Sequence, residues 1–212
     1  MVFLTSELWF PNPEYTDESG ILAVGGDLSA KRLILAYRNG IFPWYNEDEP
    51  ILWWCPDERM VLFPEKLHIA KSMRPLLNQN KFKITYNQAF DEVIAACAKI
   101  NRKGQGGTWI SDDMKKAYIN LHEKGFAQSV EAWQDGQLVG GLYGIYLQGC
   151  GIFCGESMFS SQSNASKVAF IKMVEHFLAN GLRLVDCQVY NSHLESLGAE
   201  LICRNEFLNY LD

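Results

Sequence analysis

From residue 60 onward the apolar positions fall into two rhythms. In three stretches they recur at three/four spacing: Phe90, Val93, Ile94 and Cys97 within 88–99; Met114, Ala117, Tyr118 and Leu121 within 112–124; Phe170, Met173, Val174, Phe177 and Leu178 within 165–179. That spacing lines one face of a helix. Gly125 and Asn180-Gly181 supply the stops. Short apolar or alternating runs predict strands at 60–63, 81–85, 128–134, 137–147, 151–154 and 182–190, with a hairpin turn at Asp135-Gly136. A short basic helix is expected over 68–78, a loop over 103–107 and a last short element at 206–211. Residues 1–58 lack either rhythm. They are aromatic and rich in Pro and Gly, with one helix opening at Asp27-Leu28-Ser29 and stopping at Gly40, and an apolar run, Ile51 to Cys55, ended by Pro56. The pattern predicts a small irregular N-terminal domain, 1–60, packed on a larger domain, 61–212. Helices, a meander, then helix and strand make that larger domain mixed α/β (α+β).

The segment Gly151 to Lys167, GIFCGESMFSSQSNASK, organises the rest. It reads as a strand, a tight turn at Gly155-Glu156-Ser157 and a helix opening near Asn164, which would set exposed N–H groups beside a carboxylate. The next strand carries Asp186 and Gln188 two apart, hence on one face. A carboxylate inside an apolar run such as Leu184-Val185-Asp186-Cys187 is costly to bury without partners, which makes Glu156, Asp186 and Gln188 the candidate functional groups. Cys154 and Cys187 are expected on the opposite face, as core thiols.

Composition narrows the classes. The chain has 212 residues, 48% hydrophobic and 21% charged, and no apolar run near the ~18 residues of a membrane span. The N-terminus shows no signal-peptide pattern, so a cytoplasmic protein without a membrane partner is expected. Six cysteines without CxxC spacing read as reduced core thiols. The four histidines show no metal-ligand spacing, and no metal is expected. The net charge of −6 is uneven: residues 1–58 carry −7, 59–124 carry +6 and 125–212 carry −5. The basic stretch from Arg59 to Lys83 points to a polyanion partner. Trp44, Trp53, Trp54 and Trp109 fall in loop-like settings, where indoles can stack on nucleobases.

The β-β-β-α-β order resembles the acyl-coenzyme A-dependent acetyltransferase (GNAT) superfamily. That superfamily carries a Q/R-x-x-G-x-G/A loop before the helix; residues 159–165 here lack its glycines, so no coenzyme A, and no other cofactor, is expected. The wording of the chain more specifically resembles the leucyl/phenylalanyl-tRNA–protein transferase family: GILAVGGDLS (20–29), AYRNGIFPWY (36–45), ILWWCPDERMVLFP (51–64), GTWI (107–110), GGLYGIY (140–146), FCGESMFS (153–160), NASK (164–167), DCQ (186–188) and HLESLGAELI (193–202). The resemblance implies transfer of Leu or Phe from Leu-tRNA or Phe-tRNA to the N-terminal Lys or Arg of acceptor proteins, which marks them for N-degron (N-end rule) degradation. It implies that Asp186, Gln188 and Glu156 line the reaction centre, with Asp186 acting through Gln188 on the attacking amine, or the tRNA ribose taking the main role. Met158, Met173 and Phe177 are expected to form the Leu/Phe pocket, since flexible thioethers tolerate both shapes, with Ser157 also at the substrate, and Trp44 and Trp109 match positions for the tRNA 3′-adenosine or its neighbours. Cys55, Glu58 and Gln128 depart from the family's usual residues, away from GESMF and DCQ. The competing readings are a coenzyme A-dependent N-acetyltransferase and a tRNA-binding module without activity.

Overall fold

The computed structural model describes residues 2–100 and 108–212; the loop expected at 103–107 lies outside them. Two sheets form. A four-stranded sheet in the order β1-β2-β4-β3 is made of β1 (Val2–Leu4), β2 (Ile21–Gly25), β3 (Phe42–Pro43) and β4 (Leu52–Trp54). The irregular N-terminal module expected from the sequence is therefore a sheet. Its strands are only two to five residues long, too short to show an alternation. Helix α1 (Ala30–Arg38) packs on it, capped by the Ser29 hydroxyl, which accepts the Arg32 N–H.

The seven-stranded sheet runs β11-β5-β10-β9-β8-β7-β6. Its strands are β5 (Glu58–Leu62), β6 (Lys83–Tyr86), β7 (Ala127–Gln134), β8 (Gln137–Leu147), β9 (Ile152–Ser160), β10 (Leu184–Gln188) and β11 (Glu200–Cys203). All neighbours are antiparallel except β9 and β10. That parallel pair is joined by α5 (Ala165–Leu178), because parallel strands need a crossover. Asp135 and Gly136 both take positive φ between paired Gln134 and Gln137, the two-residue turn the sequence predicts.

The sheet separates two cores. One face is covered by α1, α3 (Phe90–Lys99), α4 (Asp112–Glu123) and the small sheet, so that Tyr37, Phe42 and Trp53 share a core with Phe90, Tyr118 and Tyr143. The other face is covered by α5, through Val168, Phe170, Met173 and Phe177. Short helices α6 (Ser192–Glu195) and α7 (Arg204–Leu208) close the C-terminal part; α7 lies just ahead of the element expected at 206–211. Among the described residues no helix is long and apolar enough to cross a membrane.

Other boundaries move for physical reasons. The basic helix expected over 68–78 shrinks to α2 (Arg74–Asn78), because Pro75 lacks an N–H and is tolerated only in a first turn. The strand expected at 182–190 ends at Gln188, which takes a left-handed φ of 65°. The turn expected at Gly155-Glu156-Ser157 is absent. Strand β9 continues to Ser160, and those three residues form its middle.

Candidate active site

The parallel pair β9–β10 is zipped for only three residues: Ile152 with Leu184, Phe153 with Val185, Cys154 with Asp186. Beyond that point each strand follows its outer neighbour. Strand β9 stays paired with β8 as far as Ser160, and β10 stays with β5 through Gln188. The two strands splay, and a cavity of about 590 Å³ opens between their C-terminal ends.

Two irregularities make the gap. In β9, Gly155 pairs with Gly144 and Ser157 with Tyr143, which leaves Glu156 as the extra residue of a β-bulge. A bulge re-aims a side chain and bends its strand. Gly144 is required there, since a Cβ would lie 2.3 Å from the Cys154 carbonyl oxygen. In β10 the register slips between Asp186 and Gln188, and the left-handed Gln188 backbone costs about 1–3 kcal/mol.

Glu156 is 8% exposed and faces the core of α3 and α4, away from α5. Its acid is thus remote from the helix start beside which the sequence reading had set it. Tyr118 donates to Oε2 at 2.9 Å, and the Gln188 amide donates to Oε1 at 2.9 Å across the gap. Behind Tyr118, its hydroxyl meets that of Tyr37. No cation pairs with this carboxylate among the described residues. Burial therefore pushes Glu156 from the ordinary 4.5 up to about 7; the Tyr37 and Tyr118 hydroxyls pull down, the Asp186 charge pushes up, and the Gln188 hydrogen bond pulls down. Burial also holds both tyrosines well above their usual range, so they stay neutral donors.

Asp186 is arranged oppositely. It is fully buried and does not line the cavity. Arg59, itself 1% exposed, grips it in a fork: Nε to Oδ1 and Nη2 to Oδ2, both 2.7 Å. The guanidinium is sandwiched between the rings of Phe42 and Phe207, 4.7 and 4.5 Å from their centroids. Oδ1 also accepts the Gln188 backbone N–H at 2.9 Å. Asp186 thus holds the strained residue whose side chain reaches Glu156. The expectation that Asp186 and Gln188 share a face by simple alternation is superseded by the bulge, and their link runs from side chain to backbone.

Of the other residues singled out from sequence, Trp44, Trp109, Ser157, Met158 and Met173 line the cavity. Phe177 does not; it packs behind Phe153 at 5.2 Å and against Tyr146 at 4.5 Å. Leu142, Phe153 and Phe170 fill the apolar wall instead. Cys154 sits with Asp186 and Glu156 rather than on the opposite face, since a spacing of two keeps it on the face of Glu156. Cys187 is on the other face. Burial raises both thiols far out of the nucleophilic range. Among the described residues no group of three or more His, Cys, Asp or Glu is placed to hold a metal ion. Sequence reasoning missed Arg59, Tyr118 and Tyr37. An arginine beside the apolar run Met60-Val61-Leu62 was the available signal for the first.

Residues 61–212 match a family model described as leucyl/phenylalanyl-tRNA protein transferase, and residues 26–57 match that of its N-terminal domain. The chain is similar along its whole length to proteins named leucyl/phenylalanyl-tRNA–protein transferase. The one from Christiangramia forsetii is 59% identical over all of both chains. That from Flavobacterium johnsoniae is 58% identical, covering 100% of this chain and 99% of its own, and that from Pseudomonas fluorescens 51%, covering 97% and 91%. Among solved structures, FemX shares the fold at a TM-score of 0.56 and 11% identity, over 81% of this chain and 66% of FemX.

Proposed function

The chain belongs to the leucyl/phenylalanyl-tRNA protein transferase family, and from that premise we propose that it transfers Leu or Phe from aminoacyl-tRNA to the N-terminal Lys or Arg α-amine of acceptor proteins, forming a peptide bond that marks them for N-degron degradation. The observation that carries the reading is Glu156: a buried carboxylate at the edge of an apolar cavity, held at about 7 and joined to Gln188. An α-amine arrives largely as ammonium, with an ordinary pKa of about 7.7–8.0, and must lose a proton before it can attack the ester. An acid at about 7 is matched to that proton. Glu156 takes it, and Gln188 and Tyr118 keep the carboxylate oriented. Asp186 and Arg59 act as positioning residues through the Gln188 backbone.

The aminoacyl side chain enters the apolar wall of Met158, Met173, Leu142 and Phe170, where flexible thioethers accept Leu and Phe alike. Trp44 and Trp109 at the rim take the terminal adenosine. Residues 1–60 supply Trp44 to that rim and 61–212 supply Trp109 and the chemistry, in the cytoplasm, where aminoacyl-tRNA is made. The assay uses Leu-tRNA labelled on leucine and a peptide beginning with Arg. Label is expected on the peptide. Labelling from acetyl-coenzyme A alone would make the chain an acetyltransferase, and tRNA binding without transfer would make it a binding module.

A further inference from the structure

On the α5 face, the last zipped pair of β9 and β10 is Phe153 opposite Val185. Both side chains are buried and both line the aminoacyl cavity, so they form its closed end. What stands behind Phe153 therefore decides how deep a donor side chain can reach. Tyr146 on β8 is its cross-strand partner. Phe177, in the last turn of α5, wedges its ring against both without lining the cavity. Its centroid lies 5.2 Å from that of Phe153, at an interplanar angle of 45°, and 4.5 Å from that of Tyr146, at 49°. His176 meets the Phe177 ring edge-on at 5.1 Å. The Tyr146 hydroxyl donates to the Asn180 carbonyl at 2.8 Å, which ties the end of α5 to β8. Phe153 also rests on bare backbone, since a Cβ on Gly144 would lie 2.6 Å from its ring. In a close-packed interior a ring held this way withdraws only if a neighbour is made smaller. Gly144 cannot shrink. Phe177 can.

We propose that Phe177 is a specificity-determining positioning residue: it holds Phe153 at the closed end of the cavity and so sets the size limit that separates Leu and Phe from larger side chains. The assignment rests on the transfer reaction proposed above. Size discrimination in an apolar pocket comes from the walls that do not yield. Met158 and Met173 are flexible and adapt to their guest. The stiff part is the aromatic floor, and its position is fixed from behind. An indole carries a second ring fused to the first and needs room that a phenyl group does not.

The test measures transfer to a peptide beginning with Arg from one tRNA charged with Leu, Phe or Trp. The unvaried protein is expected to discriminate against Trp. Phe177→Leu should raise kcat/KM for Trp relative to Leu by about tenfold, the low end of what a methylene-scale change in an apolar pocket is worth, with most of the change in KM. Phe177→Met conserves the buried volume and should keep the discrimination. Tyr146→Ala removes the half-buried ring on which Phe177 leans and should shift the ratio the same way by less. Phe82→Leu shortens a buried ring of the same core that does not line the cavity, and should leave the ratio as it was. An unchanged Trp-to-Leu ratio in either Phe177→Leu or Tyr146→Ala overturns the proposal, and the second decides alone if the first does not fold. An equal shift in Phe82→Leu, or loss of discrimination in Phe177→Met, overturns it as well. Absence of transfer from all three charged forms by the unvaried protein would instead remove the transferase reading itself.

Discussion

The zipped and the splayed halves of the β9–β10 pair treat a buried carboxylate in opposite ways. In the zipped half Asp186 is gripped by Arg59, sealed from the cavity and turned to one backbone N–H. In the splayed half Glu156 has only uncharged donors, borders the cavity and sits at about 7. The same residue class on adjacent strands becomes a brace in one place and an acid held at about 7 in the other. What decides is whether a cation shares the burial.

The largest effect expected from breaking this difference is Glu156→Gln. It should lower kcat by about 10²–10⁴, the usual loss on removing a general base. Stability should move the other way. Glu156 has its folded pKa raised, so its contribution to stability is complete below about 4.5 and lost as pH rises to about 7, a loss on the order of 3 kcal/mol. Thermal melts should therefore show Glu156→Gln gaining stability over the unvaried protein at pH 8 and not at pH 4.

Arg59→Met attacks the other half. It strands Asp186 as an unpaired buried charge and should cost about 3–5 kcal/mol in chemical denaturation. Adding Asp186→Leu should restore most of that stability. Transfer should stay low in the double variant, because the Gln188 N–H has lost its acceptor. Recovery of full activity would deny that Asp186 positions Gln188.

Much of this fold was legible in the chain. The helices at 88–99, 112–124 and 165–179 show in their three/four spacing, and β8 matches its expected bounds because a two-residue turn fixes one end and Gly149 and Gly151 follow the other. The small sheet was not legible, because its strands are too short to alternate. The site was half legible. A costly acid in an apolar strand points to Asp186 and Glu156, but the sequence does not say which has a cation. That depends on Arg59, 127 residues before Asp186 and counted with a basic surface stretch. Tyr118 was read for its helix face, where a tyrosine counts as apolar, while its hydroxyl does the work at Glu156. The bulge at Glu156 was read as a turn because glycine serves both.

Smaller changes sharpen the contrast. Gln188→Ala should lower kcat by about tenfold or more, since it loosens the carboxylate without removing it, and should leave the melting temperature close to that of the unvaried protein. Tyr118→Phe should be milder still. It deletes a donor that stabilises the ionised form of Glu156, so the midpoint of the pH–rate profile should rise, by up to about one pH unit.

The central claim is that Glu156 changes its charge near neutral pH. Carboxyl carbon NMR of the glutamate-labelled protein, followed from pH 4 to pH 9 and compared with Glu156→Gln, measures this directly. One glutamate resonance, absent in the variant, should titrate with a midpoint at about 7. A Glu156 resonance that completes its titration near the ordinary 4.5 would contradict the account.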